Sequence, residues 1–150
     1  MIGESAQITS DAAADEFPAP TCENPAIVML AADRLGSACS PLICLEGQPS
    51  GATSQLLASV RRAGATLRVH TDFDLGGIAI ASHIIQRFEA SPWRMRRDDY
   101  LLALEGPTTH LAQKIAATGW DPALPDEMNA YRRAVHEESV ADTLLADLAI

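Results

Sequence analysis

The chain has 150 residues, 47% of them hydrophobic and 21% charged, the balance of an ordinary globular protein with one core rather than of a disordered chain. No apolar run approaches the roughly 18 residues that cross a bilayer, and the N-terminus lacks a basic start followed by an apolar stretch, so neither a membrane segment nor a secretory leader is expected and the default compartment is the cytoplasm. A formal net charge of −9 speaks against a general nucleic-acid-binding surface, and three cysteines without CxxC spacing (Cys22, Cys39, Cys44) read as free thiols rather than a zinc site.

Residues 1–16 are small and polar and read as a disordered tail, leaving 17–150 as the folded domain. FPAPTCEN is a poor strand, because Pro18 and Pro20 each remove a ladder donor; at best it is a short edge or entry segment. PAIVMLAADRLG predicts a helix, with Pro25 suited to the first turn and Gly36 to the stop. SPLICLEG is an apolar run of strand length closed by Gly47. SGATSQLLASVRRAG predicts a helix capped by Ser50, with Leu56, Leu57 and Val60 on one face and Gly64 at its end. ATLRVHTD is the next strand, and LGGIAIASHIIQRFEA the helix after it.

Beyond this point RMRRDDYLLAL predicts a strand around Tyr100–Leu104. The Gly- and Pro-rich stretch 106–126 leaves room for a short helix near His110–Ala117, and PDEMNAYRRAVHEESVADTLLADLAI closes the chain as one long helix or two. Helices alternating with short apolar strands imply an α/β fold with a mainly parallel, short-stranded sheet flanked by helices.

In such sheets ligand groups gather beyond the carboxyl ends of strands. Glu23, Gly47, Asp72 and Asp74 would each stand beyond such an end. Residues i and i+2 of an extended segment point the same way, so Asp72 and Asp74 can share one ligand. Two carboxylates so close raise each other's pKa unless water solvates them or a cation holds them. Magnesium takes hard oxygen donors and commonly one or two carboxylates; manganese is the substitute expected with it. Glu23 could complete the ligand set from a neighbouring strand, and Glu46, in LEG, is its competitor. Gly76 and Gly77 would let a phosphate approach the amides of the following helix. Gln48 and Ser50 could touch a phosphate, although a turn followed by a helix cap explains them as well.

Several other residues have a structural reading beside a functional one. His70 reads as a core histidine before it reads as a site residue. Glu137 and Glu138 read as a solvated helix face before a second-metal carboxylate. Tyr100 and Tyr131 read as packing residues rather than nucleophiles, and Trp93 and Trp120 as anchors of small cores rather than base-stacking platforms. Residues 61–97 hold seven arginines against Asp72, Asp74 and Glu89, a net charge of +4, which suits a phosphate-bearing substrate or simply a solvated face.

The order strand–Glu–helix–strand–Gly–helix–strand–DxDxxG–helix over residues 20–90 resembles the Toprim domain of topoisomerases, bacterial primases and related nucleases. The resemblance implies an acidic magnesium centre at Glu23, Asp72 and Asp74. CENP, LICLEGQPS, HTDFDLGG, WRMRRDDY and HEESVADTLLADL together resemble the C-terminal domain of the JetD-type subunits of Wadjet plasmid-defence systems, related to the A subunit of type VI topoisomerases. That implies magnesium-dependent DNA cleavage within an SMC-like complex, with a homodimer as one expected assembly and no membrane partner. Members of that family are usually longer, so a truncated or split copy of a larger protein is expected. Two rival readings stand beside it: a degenerate, non-catalytic Toprim module that docks in a larger assembly, and a small-molecule phosphatase using a DxD aspartate as nucleophile.

Overall fold

The computed structural model describes residues 17–150, so the tail expected over 1–16 lies outside the described residues. Four short parallel strands, β1 (Phe17–Cys22), β2 (Ile43–Cys44), β3 (Ala65–Val69) and β4 (Ser91–Pro92), form a sheet in the order β2-β1-β3-β4. Helices α1 (Pro25–Leu35), α2 (Gly51–Arg62) and α3 (Leu75–Phe88) make the crossovers. This is the α/β architecture that the alternation of apolar runs predicts, and it agrees with a Toprim-like fold.

The proline-bearing segment corrects one expectation: it is the central strand, paired on both sides. The amide and carbonyl of one strand residue point to the same neighbour. His70 donates to the Thr21 carbonyl and Leu45 to that of Cys22, so residues 17, 19 and 21 bond to β3 while 18, 20 and 22 face β2. β2 is in register only with Thr21 and Cys22. Pro18 and Pro20 therefore look toward a stretch where no strand asks for the amide hydrogen they lack.

Each crossover helix begins on a side-chain cap. Asn24 accepts from Ala26 N at 2.9 Å at the start of α1, Ser50 from Thr53 N at 3.2 Å at the start of α2, and Asp74 from Gly77 N at 2.7 Å at the start of α3. Successive strand residues point to opposite faces, which splits the core in two. One cluster, around Cys22, Ile27, Trp93 and Leu144, lies where α1 meets the C-terminal helix α6 (Ala141–Leu148). The other gathers Leu57, Leu67, Val69, Ile80 and Ile84 beneath α2 and α3.

The second half of the chain departs from the sequence reading in two places. Residues 97–103 form helix α4 (Arg97–Ala103) instead of a strand. Asp98 and Asp99 occupy its first turn, Asp99 accepts from Arg96 N at 3.0 Å, and Tyr100 and Ala103 bury with the spacing of a helix. No helix forms over 110–117. Thr109–His110 is strand β5, paired antiparallel with β6 (Arg133–Ala134), and the amide of Asn129 serves both N and O of Ile115. The final stretch is two helices, α5 (Ala123–Tyr131) and α6, separated by β6 and a tight turn over Glu137–Val140. Among the described residues no helix is long and apolar enough to cross a membrane.

Candidate metal centre

The strand order creates the site before any side chain does. From β1 the chain crosses to β2 on one side, then returns past β1 to β3 on the other. The carboxyl ends of β1 and β3 thus flank the point where the winding reverses, the usual crevice for a ligand in an open α/β sheet. Glu23 directly follows β1, and Asp72 and Asp74 follow β3.

The aspartate segment is held by the far end of the chain. Phe73 and Val135 exchange two backbone hydrogen bonds, Phe73 N to Val135 O at 2.8 Å and Val135 N to Phe73 O at 3.2 Å. This bridge delivers His136 and Glu137 to Asp72. The Glu137 amide donates to Asp72 Oδ1 at 2.7 Å, and His136 Nδ1 lies 3.2 Å from Asp72 Oδ2. Asp74 spends Oδ1 on capping α3, which leaves its second oxygen for a ligand. Gly77 is demanded by packing: a Cβ there would stand 2.0 Å from the Asp72 carbonyl oxygen.

Glu23 reaches the Asp72 backbone from β1, while its carboxylate lies outside the group that Asp72, Asp74 and His136 form. Its Oε2 accepts from the Asp72 amide at 3.0 Å, so one hydrogen bond joins the ends of two strands. Behind it lies Glu137, 0% exposed. The Glu137 carboxylate accepts from Glu23 N at 3.0 Å, from Asn24 N at 2.7 Å and, at 3.0 Å, faces Nδ1 of His70. Glu137 is therefore a buried acid whose two oxygens both hold protein groups, and it sets the chain direction at the end of β1.

Asp72, Asp74 and His136 each place a ligand atom within 4.8 Å of the other two. The ideal magnesium octahedron is about 4.2 Å from one ligand to the opposite one, so the group fits a divalent cation after a slight inward movement. A hard cation would take the carboxylates, and a borderline one the imidazole as well. Electrostatics point the same way. Burial, together with the charges of Asp72, Glu137 and Asp74 and against the hydrogen bond from Asp72 N, raises the Glu23 pKa to about 7. The hydrogen bond to Asp72 raises that of His136 above its ordinary 6.5. The first shift comes mainly from burial and the second from the Asp72 hydrogen bond, each with neighbouring carboxylates adding to it.

The remaining residues singled out from the sequence divide clearly. Glu46 and Gly47 line one open cleft with Glu23, Asn24, Pro25 and Asp72. Gln48 is exposed and does not line that cleft, and Ser50 serves as the cap of α2. Gly76 is exposed on the first turn of α3, with a virtual Cβ only as close as 3.6 Å to Asp74 Oδ1, while the Gly77 amide is already taken by Asp74. Glu138 is exposed and bonds the Asn24 side chain. Tyr100 is buried with its hydroxyl on Arg133 O at 2.8 Å, whereas Tyr131 is exposed. Trp93 is fully buried, and Trp120 is half-buried and donates to Met95 O.

His136 and the structural use of Glu137 escaped the sequence reading. A helical period across HEESVADTLL hides them, because it assigns to a wet face residues that lie in a turn. The usable signal was AVHEE itself, two apolar residues running straight into His and Glu as a strand does into a site. A family model described as "Protein of unknown function C-terminus (DUF2399)" matches residues 5–148. Nothing among curated proteins matches the chain.

Proposed function

The chain belongs to the DUF2399 family, and from that premise we propose that it is a DNA nuclease domain dependent on magnesium or manganese, acting within an SMC-like plasmid-defence complex. The observation that carries the reading is the meeting of Glu23 with Asp72, 49 positions apart, beside Asp74 and His136 at the reversal point of the sheet. Asp72 and Asp74 would hold the cation, with Glu23 as the third carboxylate. The cation supplies what phosphodiester hydrolysis needs, a more acidic bound water and a stabilised leaving oxygen.

The protein's own part is orientation. The Glu137 amide and the His136 ring fix the two oxygens of Asp72, the Gly77 amide fixes Asp74, and the Asp72 amide fixes Glu23. The cleft beside Glu46 and Gly47 leaves one side of the carboxylates open to a phosphate. Partner subunits, or a second copy of the chain, would present the DNA.

One observation favours a docking module without chemistry: both Asp72 oxygens already have protein partners. Nicking of supercoiled plasmid separates the two. The wild-type chain is expected to nick with magnesium or manganese and to stop with EDTA, and Asp72→Asn and Asp74→Asn are each expected to lose the activity. Nicking by both variants at the wild-type rate removes the nuclease reading. A wild-type chain that neither nicks nor binds manganese favours the docking module.

A further inference from the structure

The β5–β6 ribbon is two residues long on each strand, and the chain beyond it is fastened further. Leu111 N donates to Arg132 O at 3.0 Å, while the Arg132 guanidinium spends Nε on Leu111 O at 3.2 Å and Nη2 on Ala112 O at 3.1 Å. In that ribbon Thr109 stands opposite Ala134, so the two share a face. The strand runs on through the Val135 bridge to an extended His136, two residues past Ala134 and therefore on the same face. Thr109 Oγ1 and His136 Nε2 meet there at 3.3 Å. Thr109 is exposed and fills no part of the core.

The His136 ring is thus held at both nitrogens, with Nδ1 3.2 Å from Asp72 Oδ2. Adjacent ligands of one cation, on bonds of about 2.1 Å, stand about 3.0 Å apart. Nδ1 and Oδ2 are therefore already spaced as two donors to one ion. Asp74 brings a third donor within 4.8 Å of both residues. A ring that ligates through Nδ1 keeps its proton on Nε2, and such rings are oriented by an acceptor for that proton. The Thr109 hydroxyl serves in both states. It donates to Nε2 while Nδ1–H faces Asp72, and it turns to accept from Nε2–H when Nδ1 is given to a cation.

We propose that Thr109 is a positioning residue for His136, and that it decides how well this centre takes a borderline divalent cation such as zinc. Resting on the reading of Asp72 and Asp74 as cation ligands, this role adds the partner that recruits the imidazole to them. Magnesium takes hard oxygen donors and binds without the ring, whereas zinc favours imidazole. As the neutral ring ligates, Nδ1 releases its proton to water and gives its lone pair to the cation. Nε2 takes up a proton from water and donates it to Thr109 Oγ1, so the ring stays neutral and no net proton is lost. Without the hydroxyl, the new Nε2–H is left to solvent and the ring loses the contact that orients it.

The test titrates the full chain with zinc and with magnesium, in the absence of DNA. Calorimetry gives the affinities, and the ¹⁵N resonances of the His136 ring report which nitrogen holds the proton. In the wild-type chain zinc is expected to move the proton from Nδ1 to Nε2, and magnesium to leave it on Nδ1. Thr109→Val keeps the shape and strand preference of the residue without its hydroxyl. It is expected to bind zinc about tenfold more weakly, the lower end for loss of an outer partner, with magnesium affinity unchanged. Thr109→Ser is expected to restore the zinc affinity. Zinc that leaves the wild-type His136 proton on Nδ1 overturns the proposal, and so does a Thr109→Val chain with undiminished zinc affinity. A serine variant that fails to restore binding, or equal losses for both cations, overturns it too. None of these readouts involves cleavage. A chain that binds magnesium but fails here keeps the nuclease reading, and one that binds both cations as expected but never nicks loses that reading alone.

Discussion

Asp72 and Asp74 stand between Arg68 and Arg87 in sequence, yet the acids and the arginines occupy different parts of the fold. The carboxylates lie at the carboxyl end of β3. Arg61 and Arg62 end α2 just before β3 begins, about 16 Å away along a five-residue strand. Arg87 closes α3, about 20 Å along the axis from the aspartate that caps it. Of the arginines that follow, Arg94 is spent on Asp147 at 2.7 Å and Arg97 on Glu127 at 2.9 Å, as Arg61 is on Glu89. The net +4 of residues 61–97 in the sequence is therefore reduced by pairing, with Arg61, Arg94 and Arg97 each facing an acid other than Asp72 and Asp74. Charge counted along a chain predicts a potential only where the fold keeps those charges together and unpaired.

The sharpest way to test this contrast is to remove one charged side chain from each region. Glu137→Ala strands the amides of Glu23 and Asn24 and the His70 ring, and is expected to cost about 3–5 kcal/mol, as removal of one member of a buried charged network does. Arg97→Ala removes a half-exposed pair that solvent screens, and is expected to cost far less than Glu137→Ala. Urea unfolding of the two variants measures the difference, and equal losses would erase the distinction between the regions.

A smaller effect separates the two glycines of the crevice. Gly77→Ala drives a Cβ into the Asp72 backbone, and about 3 kcal/mol is expected, the upper end of ordinary overpacking. Gly76→Ala makes only an ordinary contact, 3.6 Å from Asp74 Oδ1, and is expected to stay within about 1 kcal/mol of wild type. Thermal melts of both check this. A neutral Gly77→Ala would mean that α3 does not press on Asp72.

The crevice also carries a pH signature that the arginine pairs lack. Glu23 binds its proton more tightly when folded, so its contribution to stability is whole below its ordinary pKa of 4.5 and is lost as pH rises through about 7. His136, raised above 6.5 mainly by its bond to Asp72, contributes in the same sense: present below 6.5 and lost as pH climbs past its folded value. The metal-free chain is expected to lose stability between pH 5 and 8, and magnesium to offset that loss by binding only the folded form. Asp147 titrates oppositely. Its hydrogen bond with Arg94 lowers its pKa below 3.8, so its stability is present above that value and lost as pH falls. A flat profile from pH 5 to 8 would show that Glu23 and His136 are not coupled to the acid cluster. Least of all, Arg61→Ala is expected to leave the midpoint of manganese binding unchanged, and a shift in it would reconnect the two ends of the sheet.

The legible parts of the fold share one property: their signals are local. Asn24-Pro25, Ser50 and Asp74 announce helix starts through caps whose partners lie two or three residues away. The apolar runs ending at Cys44 and Val69 announce strands. The acids after β1 and β3 were visible as candidates because strand ends are where ligands bind. Misreadings occurred where the deciding partner was remote. Pro18 and Pro20 argue against a central strand until the shortness of β2 is known. Residues 110–117 look helical until Asn129 is seen to hold Ile115. Glu137 looks solvated until Val135 pairs with Phe73, more than 60 residues earlier.

The sequence by itself thus determined the α/β class, the capped crossover helices and the presence of a DxD pair beyond a strand, because each follows from periodicity or from contacts a few bonds away. Only the tertiary structure decided that His136 joins the two aspartates, that Glu137 is a buried brace and that Arg61, Arg94 and Arg97 are paired away from the aspartates. Those outcomes depend on which distant segments share a hydrogen bond, and the chain can reveal that only once it has folded.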